Sequence, residues 1–247
     1  HAKSLAALID AGFTAPARRI AFPWETDGTV SVPPVRVVQV RCGAWYASVS
    51  GYDFPIRSDL YCSGGTLTLL HHRISGPVFA AAMPDYRLVE PTNMQFPLHA
   101  DAECPAVELT RTAGTSVFRS SLDRAVSVTA DGFTVTADGH LTDRDGQTDS
   151  AYRLTYEFTP DAVRITAWCA ADCTVRLPLI AAPSERVTCA PTQITAAAPG
   201  FTRRLTGAVP LIPALSDPAD RTFHPVAGLT HFPVTAQLRG GELAMFT

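Results

Sequence analysis

Two adjacent histidines, His71 and His72, are the side chains best suited to proton transfer in this sequence, and they close the run TLTLLHH at 66–72. An imidazole changes charge near neutral pH, so either could act as acid or base. On a strand, neighbouring side chains point to opposite faces, so the pair cannot readily share one metal or one substrate. One of them could face a groove; the competing reading is a surface or core-satisfied imidazole. Further along, Tyr86, Arg87, Glu90 and Asn93 form a polar cluster in a stretch that reads as a loop. Loops on a rigid scaffold often carry binding groups. Arg87 could grip a carboxylate with its planar guanidinium while Tyr86 stacks or donates, against the plainer reading of an ordered loop packing on its neighbours.

Metal chemistry has less to rest on. His99, Asp101 and Glu103 would share one face of an extended chain, a geometry compatible with zinc or calcium, but a solvated acidic loop fits the same residues. Asp143, Asp145, Gly146 and Asp149 are spaced like the start of a calcium loop yet lack the closing Glu, and read as a polar hairpin turn. No cofactor is firmly implied, and a divalent metal has no clear motif. Nucleophile elbow, phosphate loop, H-E-x-x-H and dinucleotide signatures do not occur, which withdraws support from several enzyme classes.

Composition bounds the rest. The 247 residues are 46% hydrophobic and 17% charged, enough apolar material for a sizeable core and far from a disordered composition. Twenty Lys and Arg are scattered among twenty-three Asp and Glu, so no basic stripe is available for nucleic acid. No apolar run approaches the roughly 20 residues that a spanning helix needs, which argues against membrane insertion. Six cysteines, Cys42, Cys62, Cys104, Cys169, Cys173 and Cys189, make an even number, and Cys169 and Cys173 bracket a turn-like Ala-Ala-Asp that a local disulfide could close. Their usage leans towards a secreted or periplasmic setting.

These side chains must be held by strands. Leu5, Leu8 and Ile9 recur at helical spacing between Ser4 and Gly12, which predicts a short N-terminal helix. From Val35 the pattern becomes short β-branched and aromatic runs cut by Gly, Pro and Asp, including AWYASVS, PVFAAAM, GFTVTA, VRITAWC, TVRLPLI and FPVTAQL. No amphipathic helices intervene, so βαβ organisation is excluded. The clearest unit is a hairpin, YRLTYEF and VRITAW, joined by Thr159-Pro160-Asp161-Ala162. The expected fold is all-β, a large antiparallel sandwich of two wide sheets over 31–247, preceded by a helical stub and linker over 1–30. The prolines at 210, 213 and 218 read as a loop.

The segment GGTLTLLHHRISGPVFAAAMPDYRLVEPTNMQ, residues 64–95, resembles the C-terminal β-sandwich of heparinase II/III-like polysaccharide lyases. The resemblance rests on the His71-His72 strand end, Gly76-Pro77, Tyr86 and the Glu90-Pro91-Thr92-Asn93-Met94 loop. It implies β-elimination on a uronate-containing polysaccharide such as a glycosaminoglycan, with this domain forming one wall of a cleft against a helical toroid of the same protein. His72 and Tyr86 are then the candidate catalytic residues, with Arg87, Glu90 and Asn93 as substrate-binding groups. Because such enzymes draw most catalytic groups from the toroid, the chain alone is expected to be inactive. A carbohydrate-binding or structural module and a mutarotase-like epimerase are the alternatives.

Overall fold

The computed structural model describes residues 25–51, 62–81, 85–86, 102–103, 106–182, 184–214 and 230–247. The expected N-terminal helix and most of the 1–30 stub lie outside them. In chain order, β1 (Gly28–Val32), β2 (Val37–Cys42), β3 (Trp45–Ser50), β4 (Thr66–His72) and β5 (Gly76–Ala80) make an antiparallel five-stranded meander. β6 (Asp85–Tyr86) pairs with β7 (Ala102–Glu103). Then come β8 (Glu108–Ala113), β9 (Ser116–Arg119), β10 (Ser127–Asp131), β11 (Thr134–Thr142), β12 (Thr148–Phe158), β13 (Val163–Cys169) and β14 (Cys173–Ala181). A three-stranded meander, β15 (Arg186–Ala190), β16 (Gln193–Ala198) and β17 (Phe201–Thr206), precedes β18 (Ile212–Pro213), β19 (Thr230–Leu238) and β20 (Leu243–Phe246).

The large sheet has ten strands, in the order β18, β19, β14, β8, β9, β11, β12, β13, β20, with β10 beside β11. The fold is thus the expected all-β antiparallel sandwich, and β5 packs against β14 where the five-stranded and ten-stranded sheets meet. Period-two patterning explains the central strands: Tyr152, Leu154, Tyr156 and Phe158 of β12 are buried, as are Val163, Ile165, Ala167 and Cys169 of β13. The Thr159–Ala162 turn closes this hairpin with a backbone bond of 2.9 Å from Thr159 N–H to Ala162 O. Asp143 likewise organises the β11–β12 turn, its Oδ1 accepting from the amides of Asp145 and Gln147.

Two tyrosines of β12 tie the layers together. The Tyr156 hydroxyl donates to Gly65 O at 2.7 Å, and the Tyr152 hydroxyl lies 3.0 Å from Gly64 O and 3.2 Å from Asp123 Oδ2. Burial pushes both phenols above their ordinary pKa, and the Asp123 carboxylate adds to the effect at Tyr152. Gly64 and Gly65 have φ of +65° and +70°, and a Cβ on Gly64 would sit 1.7 Å from Ser120 O. Only glycine fits this turn, from which β4 departs towards its histidines.

Sequence patterning passes over β15 to β17, because RVTCA and QITAAA hold few large apolar residues to reveal their period. The proline-rich segment read as a loop contains β18, a two-residue pairing of Ile212 and Pro213 with β19 at the outer edge of the large sheet. Proline is tolerated there because, among the described residues, no further strand needs its missing N–H. Cys42, Cys169, Cys173 and Cys189 are free thiols. Cys169 and Cys173 are hydrogen-bonded to one another across the three-residue turn, and that bond lowers the Cys169 pKa to about 7 while raising that of Cys173.

Candidate functional site

β4 presents its last two residues to opposite faces. Along one row of the five-stranded sheet, Cys42, Trp45, His72 and Gly76 are register partners; along the next, Arg41, Tyr46, His71 and Pro77. On the first row the His72 and Trp45 rings meet edge to face, 4.6 Å between centroids. On the second, His71 lies 6.2 Å from the Tyr46 ring, which the Arg41 guanidinium covers at 5.3 Å. The two histidines therefore have separate surroundings, as their adjacency on a strand requires.

His72 lines a cavity of about 500 Å³ where the five-stranded, ten-stranded and three-stranded sheets converge. Trp45 shares its wall, the β12–β13 turn contributes Asp161, and β17 contributes Phe201, Arg203 and Arg204. Leu70, Val78, Phe79 and Leu179 supply an apolar floor. A large pocket with an apolar floor and a few polar groups is the usual form of a small-ligand site.

The bulge in β5 shapes this wall. Leu70 pairs with Phe79 and His71 with Pro77, so Val78 is the extra residue, and it turns inward beside Phe79. Pro77 O accepts a hydrogen bond from Arg203 Nη1 at 2.5 Å. Arg203 Nη2 is ion-paired with Glu185, and the arginine side chain, 7% exposed, lies over Phe201. Its Nε is buried without a hydrogen-bond partner, as is Trp45 Nε1.

The protonation of His72 follows from its surroundings. The backbone amides of Ile74 and Ser75 both point at Nδ1, each at 3.3 Å, so Nδ1 is the acceptor and the neutral ring carries its proton on Nε2. Burial lowers the His72 pKa, with further lowering by neighbouring His71 and by the charges of Arg73 and Arg203. His72 is thus a neutral hydrogen-bond donor near neutral pH. Its basic lone pair faces the β4–β5 turn rather than a ligand.

Of the other sequence candidates, Tyr86 lies on β6, opposite Ala102 of β7. Arg87, Glu90 and Asn93 fall outside the described residues, as do His99 and Asp101. Among the described residues no group of three His, Cys, Asp or Glu side chains could hold a metal ion, and no helix is long and apolar enough to cross a membrane. Phe201 and Arg203 escape sequence reasoning because β17 itself does. The only signal was alternation in FTRRLT, where Arg203 and Leu205 turn inward.

The described residues thus form a wide antiparallel sandwich with a cavity beside the strand-end His72. The model of the ulvan lyase C-terminal domain matches residues 31–245, and the chain belongs to that family. Over 101 residues it is 36% identical to a broad-specificity ulvan lyase of Formosa agariphila, an alignment covering 38% of this chain and 16% of that enzyme. Among solved structures, a protein provisionally described as an aldose 1-epimerase from Escherichia coli K12 superposes with a TM-score of 0.45 at 11% identity, covering 85% of this chain and 97% of that one.

Proposed function

We propose that this chain is the β-sandwich portion of a heparinase II/III-like lyase that cleaves an acidic, uronate-containing polysaccharide of the ulvan kind by β-elimination. It forms one wall of the substrate cleft, and a helical domain of the same protein forms the other. Membership of the ulvan lyase C-terminal domain family is the observation that carries this reading. The His72 cavity agrees with it: Trp45 and Phe201 line it with aromatic surface, and Arg204 adds a positive charge, while Arg203 is paired with Glu185. Tyr86 of β6 is the proposed catalytic partner of His72, and Arg87, Glu90 and Asn93 are the proposed substrate-binding groups. The substrate implies a secreted or periplasmic enzyme.

β-Elimination beside a uronate needs a base for the α-proton, an acid for the leaving oxygen and donors for the carboxylate. His72 supplies a donor, and its tautomer withholds a base. The same observation supports a second reading, a module that binds saccharide without transforming it. The two separate on one assay, the absorbance of the unsaturated uronate product formed from ulvan by this chain alone and by the chain joined to its helical domain. We expect binding without product from the chain alone, and product from the joined protein that falls at least tenfold in His72→Ala. Silence from the joined protein on ulvan and on glycosaminoglycans would sink the lyase reading and leave the module.

A further inference from the structure

β13 and β14 follow one another in the chain but do not pair: β13 lies between β12 and β20, and β14 between β19 and β8. Four strands, β8, β9, β11 and β12, separate them along the sheet, which would hold them about 24 Å apart if it were flat. Only Ala170, Ala171 and Asp172 join them, and from Cys169 to Cys173 an extended chain reaches no more than about 14 Å. The sheet therefore curls over, and this junction links its two layers. Cys169 ends β13 and Cys173 begins β14. Each continues the inward row of its strand, after Ile165 and Ala167 on one side and before Val175 and Leu177 on the other, so both thiols belong to one apolar interior.

Hydrogen bonds hold the backbone on both sides of the pair. Ala170 N–H donates to Ala151 O at 2.9 Å, and Gly241 N–H donates to Cys169 O at 2.8 Å. Gly240 N–H donates to Asp172 Oδ1 at 2.8 Å, and Arg111 Nη1 to Asp172 O at 3.1 Å. Within this frame the thiols are hydrogen-bonded to one another, and donation from Cys173 is the main reason that the Cys169 pKa falls to about 7. Neither thiol lines the His72 cavity.

We propose that Cys169 and Cys173 are a disulfide-forming pair, joined as the chain folds in the presence of a disulfide oxidant, and that the bond straps the two layers of the sandwich together. The oxidant is oxidised glutathione or the active-site disulfide of an oxidoreductase. The Cys169 thiolate attacks one of its sulfurs, and the oxidant's S–S bond breaks as a mixed disulfide forms. Cys173 then loses its proton and displaces the oxidant's sulfur from Cys169. Two cysteine S–H bonds are thereby replaced by one S–S bond, while the oxidant takes up both electrons and both protons and ends as two thiols. Cys169 is 0% and Cys173 5% exposed, so the exchange belongs to the folding chain, and the finished fold shields the bond from reductant. The inference does not depend on the polysaccharide reading.

The test compares the full chain exported to a bacterial periplasm with the same chain made in the cytosol, where thiols stay reduced. Both are denatured with an alkylating agent present, which blocks free thiols, and are then digested with trypsin. Cleavage after Arg164 and Arg176 releases residues 165–176, ITAWCAADCTVR, which hold both cysteines and no others. The exported chain is expected to give this peptide unalkylated and lighter by two hydrogens than its reduced form. The cytosolic chain is expected to give it doubly alkylated. The ring that the bond closes is short and removes less chain entropy than a long-range bridge, so the exported chain should melt about 5 °C above the cytosolic one. In Cys169→Ala/Cys173→Ala that difference should disappear. A doubly alkylated peptide from the exported chain, or either cysteine linked to a different one, overturns the pairing whether or not the double variant folds. A linked peptide with no difference in melting overturns the strap.

Discussion

Replacing Arg119 by Met should destabilise the chain by about 3 kcal/mol, because it strands a carboxylate in the core. Glu108 is 0% and Arg119 2% exposed, and the pair is bidentate, with Arg119 Nε to Oε2 and Nη2 to Oε1 both at 3.0 Å. Ser121 Oγ also donates to Oε2, and Arg176 Nη1 lies 3.3 Å from Oε1. Breaking a buried pair by removing one partner costs about 3–5 kcal/mol. Arg176 remains as a second cation but its side chain is 32% exposed, so it compensates only in part and holds the loss near the lower bound. The assay is urea unfolding, read as a shift in midpoint at unchanged slope. Adding Glu108→Leu should recover most of the loss, since an apolar pair of similar volume removes the stranded charge. A loss below about 1 kcal/mol in the single variant, or no recovery in the double, would refute the reasoning. The effect should reach the cavity, because Ser63 N–H donates to Ser121 O at 2.9 Å and Ser63 leads into the Gly64-Gly65 turn before β4.

Three further outcomes are expected. Gly64→Ala meets both a positive φ and a 1.7 Å contact with Ser120 O, so it should lose more than about 3 kcal/mol or fail to fold, whereas Gly28→Ala, with nothing within 4 Å of its added methyl, should melt within a degree or two of the parent. Tyr156→Phe leaves Gly65 O buried without its 2.7 Å partner and should cost about 1–3 kcal/mol by the same unfolding assay. The lowered His72 pKa means that the unfolded chain binds a proton more readily than the folded one, so this residue's contribution is intact above about pH 6.5 and is lost as pH falls below it. His72→Gln should flatten that part of the stability profile, and an unchanged pH slope would count against the environment assigned to His72.

The alternating runs of β12 and β13 were legible in the sequence because both strands lie in one sheet with one buried face, and their Thr159–Ala162 turn carries proline where such a turn accepts it. The opposed environments of His71 and His72 were legible for the same reason. The cavity was not. Two of its walls come from β17 and from the β12–β13 turn, separated from His72 by 129 and 89 residues if counted to Phe201 and Asp161, and no local pattern reports a contact at that range. β17 was doubly hidden, since an arginine pointing inward breaks the apolar alternation by which strands are found. The tautomer of His72 depends on two amides of a turn, a feature of backbone direction rather than residue type.

The position of the cavity follows from how the five-stranded sheet ends. Its β4–β5 turn spans Arg73 to Ser75, and the bulge at Val78 lies immediately beyond it. The turn aims two amides at His72 Nδ1, and the bulged strand gives Pro77 O to Arg203. One short segment thus fixes the proton of the imidazole and anchors the guanidinium of a distant strand. Deleting Val78 would restore a regular β5 with Leu70–Phe79, His71–Pro77 and His72–Gly76 still opposite one another, but it would remove the local bend and one inward-facing wall residue of the cavity. Such a variant should keep its strand content by circular dichroism yet lose saccharide binding, because the ten-stranded sheet does not depend on the bulge while the cavity does. Retained binding would mean that Arg203 and His72 are positioned by something other than this turn.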